Sequence, residues 1–128
     1  MKKVAFVDDS KAILTSVEFA VKPLVDSGDI EFIPYIDEEQ LLKDAKLGKL
    51  DYDLLFTDIN MPQINGLELS NSLKKIENLK KKPIIALTTE DSNEMKLVGK
   101  KIGIAGWIVK PFNNAKIVGA IKKILSIS

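Results

Sequence analysis

Neither cysteine nor histidine occurs anywhere in the 128 residues. The first absence rules out disulfides and thiolate metal sites; the second rules out histidine-based hydrolases, zinc enzymes of the usual kind and any phosphohistidine carrier. Most common enzyme mechanisms go with them. No Pro-, Gly- or Ser-rich stretch, long charge block or low-complexity segment interrupts the chain, so nothing indicates disorder or a linker. Long apolar runs are missing too. Met1-Lys2-Lys3 opens like a signal peptide, but Val4-Ala5-Phe6-Val7 stops at Asp8, too short for a secretory segment or a membrane span. A cytoplasmic location without membrane insertion is the expectation. Neither sign of charge dominates: the formal net is +1, which gives no general attraction to nucleic acid.

What is present is the composition of one globular domain. With 45% hydrophobic and 29% charged residues, the chain is long enough to bury a core unaided, and residues 1–128 read as a single domain. Short apolar runs rich in β-branched residues recur at Val4 to Val7, Ile30 to Ile33, Leu54 to Thr57, Ile84 to Thr88 and Trp107 to Val109. Helix-period segments separate them. Ile13, Leu14, Val17, Ala20, Val21 and Leu24 keep helical spacing behind Ser10, a good N-cap, and Pro23 is expected to kink or end this helix early. Leu41, Leu42 and Ala45 mark a second helix ending near Gly48, Leu67, Leu69, Leu73 and Ile76 a third, and Met95, Leu97, Val98 and Ile102 a fourth before Gly103. Ile117, Val118, Ile121, Ile124 and Leu125 mark the last. Such alternation demands right-handed crossovers and a parallel sheet covered on both faces, a doubly wound α/β fold. Pro34 lacks an N–H, which places the second strand at an edge.

In a doubly wound sheet, residues just past the carboxyl ends of the strands converge on one crevice. Here those positions are Asp8 and Asp9, Asp58, Thr88 and Lys110. Clustered carboxylates repel and raise one another's pKa unless a hard cation joins them, and Mg²⁺, which prefers oxygen ligands and shares its coordination with phosphate, suits such a site. A carboxylate can act as the nucleophile in aspartyl-phosphate chemistry, and a metal with a lysine would offset charge on the transferring phosphoryl oxygens. The Thr88 hydroxyl can donate to another of those oxygens. Taken singly, each feature has a plainer reading. Asp8-Asp9 serves as well as a helix cap, Asp58 and Lys110-Pro111 as polar loops, Thr88 and Trp107 as strand residues, and the lysines of the last two helices as solvated faces.

Four segments in order change the balance: Val7-Asp8-Asp9-Ser10, Thr57-Asp58-Ile59-Asn60-Met61-Pro62 with Gly66, Leu87-Thr88-Thr89, and Val109-Lys110-Pro111-Phe112. Together they resemble the receiver domains of two-component response regulators over essentially the whole chain, and most of all the stand-alone CheY-like type. The resemblance implies a (βα)5 flavodoxin-like fold with strand order 2-1-3-4-5; that order comes with the CheY-like fold and not from periodicity. It implies phosphorylation on Asp58, Mg²⁺ held by Asp9 and Asp58 directly, by Asp8 through water and by the Asn60 backbone carbonyl, and a phosphoryl group bound by Lys110 and approached by Thr88. It further implies a cis bond before Pro111, an aromatic switch at Trp107 moving with Thr88, and autodephosphorylation helped by Asn60 and Glu90. The implied partners are a histidine kinase (CheA-like) or a phosphotransfer protein on one side and a protein target such as the flagellar switch on the other, with the chain a monomer.

Other functions fit less well. A flavodoxin-type electron carrier needs a hydroxyl- and glycine-rich phosphate loop where Asp8-Asp9-Ser10-Lys11 stands. A phosphatase of the haloacid-dehalogenase type needs Asp-x-Asp after the first strand, and Ser10 occupies the second aspartate's place. No Walker motif supports nucleotide hydrolysis. The chain ends with the fifth helix, so output through protein contact, in chemotaxis or as a single-domain relay intermediate, is expected over DNA binding.

Overall fold

β-branched and aromatic residues fill the apolar runs, and each run forms a strand: β1 (Lys2–Val7), β2 (Ile30–Tyr35), β3 (Leu54–Thr57), β4 (Ile84–Thr88) and β5 (Gly106–Val109). The computed structural model describes residues 1–128, and a helix follows every strand: α1 (Lys11–Asp26), α2 (Glu38–Lys46), α3 (Gly66–Leu73), α4 (Asn93–Ile102) and α5 (Asn114–Leu125). All strands pair in parallel in the order β2-β1-β3-β4-β5, so the doubly wound fold and the edge position of β2 are as expected. No helix is long and apolar enough to cross a membrane.

Period-two alternation divides the core. Val4 and Phe6 of β1 point to one face, where Leu14, Val17 and Val21 of α1 and Ile117 and Ile121 of α5 cover them; Phe6 also stacks on Phe56, ring centres 4.6 Å apart. Ala5 and Val7 point to the other, under Leu41 and Ala45 of α2 and Leu69 and Leu73 of α3. A smaller cluster of Ile59, Leu67 and Ala86 lies under α4, with Met95, Ile102 and Trp107 packed against it.

The early helix end expected at Pro23 is corrected. The first helix runs on to Asp26, three residues past the proline. Proline removes one backbone donor, the bond to the Phe19 carbonyl, but both residues lie on the exposed side, where water can take that acceptor. Leu24, buried, holds the last turn to the core, and Gly28 at φ 81° then reverses the chain. At Ser10 the expectation holds: its hydroxyl accepts from Ile13 N at 3.3 Å.

Among buried side chains, the Tyr52 hydroxyl alone has no hydrogen-bond partner. Burial also pushes its pKa up. An unpaired buried hydroxyl costs about 1–3 kcal/mol, so Tyr52→Phe is expected to stabilise the protein by about 1 kcal/mol in urea unfolding. A clear loss of stability would show that the hydroxyl is satisfied in solution.

Candidate functional site

The strand register builds the site. Val7 pairs with Thr57, so the next residues, Asp8 and Asp58, leave adjacent strands side by side, and Asp58 N donates to the Val7 carbonyl at 3.1 Å. Thr88 pairs with Val109, and Lys110 N donates to the Thr88 carbonyl at 2.8 Å, which brings Lys110 in from the other side. The Lys110–Pro111 peptide is cis.

Carboxylate oxygens of Asp8, Asp9 and Asp58 lie within 4.8 Å of one another, the first and last buried and Asp9 exposed. Asp8 divides its oxygens: Oδ1 accepts from Ser10 N at 2.9 Å and Oδ2 from Lys110 Nζ at 2.6 Å. Asp58 does likewise, Oδ1 accepting from Ile59 N at 2.7 Å and Asn60 N at 3.3 Å, with Oδ2 3.3 Å from the same Lys110 ammonium. Burial raises the pKa of Asp8, the Lys110 hydrogen bond and charge pull it back, and the charge of Asp58 pushes it up again. A cation already occupies this cluster in the form of an ammonium. An all-oxygen donor set, crowded around one positive charge, is the chemistry a hard divalent ion takes, and the residues present therefore fit Mg²⁺.

Around this centre the remaining residues separate. Thr88 is buried, but its hydroxyl accepts from Glu90 N at 3.1 Å and bonds none of the carboxylates. The Glu90 carbonyl in turn accepts from Trp107 Nε1 at 2.8 Å. Trp107 lies outside the carboxylate cluster, half-buried against α4, where a Cβ on Gly99 would come within 2.9 Å of the indole. Thr88 and Trp107 are thus joined through the Glu90 peptide. Asn60 is exposed two residues beyond Asp58, its N–H turned to the Asp58 carboxylate.

Two contacts not foreseen from sequence fix the loop between β3 and α3. Gly66 N donates to the Ile59 carbonyl at 2.8 Å, and the approach is so close that a Cβ on Gly66 would stand 2.0 Å from the Asp58 carbonyl oxygen. Glu38, at the start of α2, is buried, and its Oε1 accepts from Gln63 N at 2.9 Å and Ile64 N at 3.3 Å. Its sequence setting, Asp37-Glu38-Glu39, offers acidic residues suited to any helix start and no sign that the middle one turns inward.

Five parallel strands in this order, with acidic residues and a lysine meeting at their carboxyl ends, define a receiver-type domain, and residues 4–122 match the response regulator receiver domain family. The chain belongs to that family. It is 31% identical over 120 residues to protein PilG of Pseudomonas aeruginosa, covering 94% of this chain and 84% of PilG. With chemotaxis protein CheY-3 of Vibrio cholerae it shares 36% over 78 residues, 61% of this chain and 60% of that one. The solved structure of chemotaxis protein CheY4 from Vibrio cholerae superposes with a TM-score of 0.84 at 35% identity, covering 97% of this chain and 98% of that one. Some relatives are much longer: the chain spans 37% of the probable transcriptional regulator ycf29 of Porphyra purpurea.

Proposed function

We propose that this chain accepts a phosphoryl group on Asp58 from a histidine kinase and switches partner binding through the face formed by α4, β5 and α5. The observation that carries this reading is the Lys110 ammonium bridging Asp8 and Asp58 inside a cluster of three carboxylates. Asp8, Asp9, Asp58 and the Asn60 backbone carbonyl would hold Mg²⁺, which when bound supplies positive charge to the phosphoryl oxygens. Asp58 is oriented by the Ile59 and Asn60 amides. Its carboxylate attacks phosphorus, an O–P bond forms as the donor's N–P bond breaks, and the electron pair leaves with the donor's imidazole. Lys110 can follow the charge from carboxylate to phosphoryl oxygen. Thr88 supports the switch: turning its hydroxyl toward a phosphoryl group gives up the bond from Glu90 N, and Glu90 also holds Trp107. Only the phosphoryl group's preference for the turned state drives that shift.

Labelling with ³²P-acetyl phosphate tests the reading. Incorporation is expected with Mg²⁺ and none with a chelator; no labelling at saturating Mg²⁺ would overturn it. The same labelled protein tests the proposed role of Asn60 and Glu90 in orienting an attacking water, since Asn60→Arg with Glu90→Arg should lengthen the label's lifetime. The relatives named for chemotaxis support that pathway as the setting. Capture of a flagellar switch protein by the beryllofluoride-activated form is the expected outcome, and capture of a phosphotransfer protein alone would favour the relay.

A further inference from the structure

We infer that Glu38 is a positioning residue for the metal- and phosphoryl-binding loop, an inference that rests on the function proposed above. The loop between β3 and α3 carries Asp58 at its start and Asn60 two residues on, so its path decides where the Asn60 carbonyl stands relative to the carboxylates. Its beginning is fixed by the amides of Ile59 and Asn60 on Asp58 Oδ1, and its end by Gly66 N on the Ile59 carbonyl. Between them, Glu38 is the one side chain from another element hydrogen-bonded to the backbone of residues 59–65, through Gln63 N at 2.9 Å and Ile64 N at 3.3 Å.

The choice of a carboxylate is informative. Glu38 is 2% exposed, and no lysine pairs with it. Burying a charge without a counter-ion is unfavourable unless hydrogen bonds compensate, and two backbone amides on a single oxygen, beside the positive end of its own helix, do so. A neutral apolar residue would fill the same space but leave both loop amides without this acceptor. The arrangement therefore ties α2 to the loop that would supply a metal ligand, and groups outside the ligand set commonly tune metal affinity this way.

The test compares Glu38→Gln, which keeps an acceptor oxygen, with Glu38→Asp, which keeps the charge but falls short by one methylene, and Glu38→Ala. Mg²⁺ affinity is read by calorimetric titration of the unphosphorylated protein, and the Gln63 and Ile64 amide resonances by NMR in metal-free buffer. Glu38→Asp and Glu38→Ala are expected to weaken Mg²⁺ binding about tenfold and to shift both amides upfield, while Glu38→Gln stays within about threefold of wild type. Should the alanine variant not fold, the aspartate variant decides. Wild-type Mg²⁺ affinity in folded Glu38→Asp, with only a lowered melting temperature, would overturn the inference and leave Glu38 a plain structural tether. Absence of Mg²⁺ binding in the wild type would instead sink the metal reading itself, and this inference with it.

Discussion

Asp58→Asn is expected to take no label from acetyl phosphate at any Mg²⁺ concentration. The amide is a poor nucleophile and a neutral ligand, so both the proposed attacking group and one charge of the proposed metal set would be lost together. The fold should survive. An asparagine Oδ1 can still accept from Ile59 N and Asn60 N, and Lys110 keeps its shorter bond to Asp8 at 2.6 Å, whereas the bond it loses to Asp58 is the longer at 3.3 Å. Amide NMR of the variant should therefore overlay the wild type outside the site while ³²P incorporation vanishes. Retained labelling would move the acceptor to Asp8 or Asp9 and undo the assignment.

The second large effect lies at Gly66. In an ordinary helix a Gly→Ala change stabilises by roughly 0.5–1 kcal/mol, because alanine has less backbone freedom to lose. Here the added Cβ would stand 2.0 Å from the Asp58 carbonyl oxygen and 2.9 Å from its carbon, and both are backbone atoms that cannot swing aside. The clash outweighs the propensity. Gly66→Ala is expected to lose about 3 kcal/mol in urea unfolding, and whatever folded protein remains should label slowly, because relief of the clash must move Asp58 itself. Unchanged or increased stability would mean that the loop adjusts freely and that the close approach is not needed.

How much of this was legible in the sequence follows from what kind of contact each feature uses. Strands and helices were, because burial leaves a period in the sequence, and Pro34 even located an edge. Asp8, Asp9, Asp58, Thr88 and Lys110 were legible as strand-end residues, since a parallel sheet gathers those ends by construction, and the three carboxylates and the lysine do meet. Pro23 misled because the rule about proline concerns the lost bond, and the outcome depended on which side of α1 that bond faced. Glu38 and Gly66 were opaque as tethers. Each acts on backbone groups of a loop, and a backbone amide leaves no mark in a sequence to say which side chain will seek it. The path from Thr88 through the Glu90 peptide to the Trp107 indole was hidden for the same reason.

Lys110 has one more consequence. Its ammonium lies among the carboxylates that a divalent ion would bind, so on the proposed function magnesium uptake would be an exchange of cations and not the filling of a bare anionic hole. The protein carries its own competitor, tethered at a fixed position by β5. Such a competitor weakens apparent metal affinity without altering a single ligand, and it makes the site selective for ions that bring more charge than the one they displace. On the proposed function it would also link two events: a metal that took over the Asp58 carboxylate would leave the lysine available to meet phosphoryl oxygens. On the proposed function, neutralising Lys110 would therefore act in both directions at once, tightening the hold on magnesium while removing a partner from the phosphoryl group.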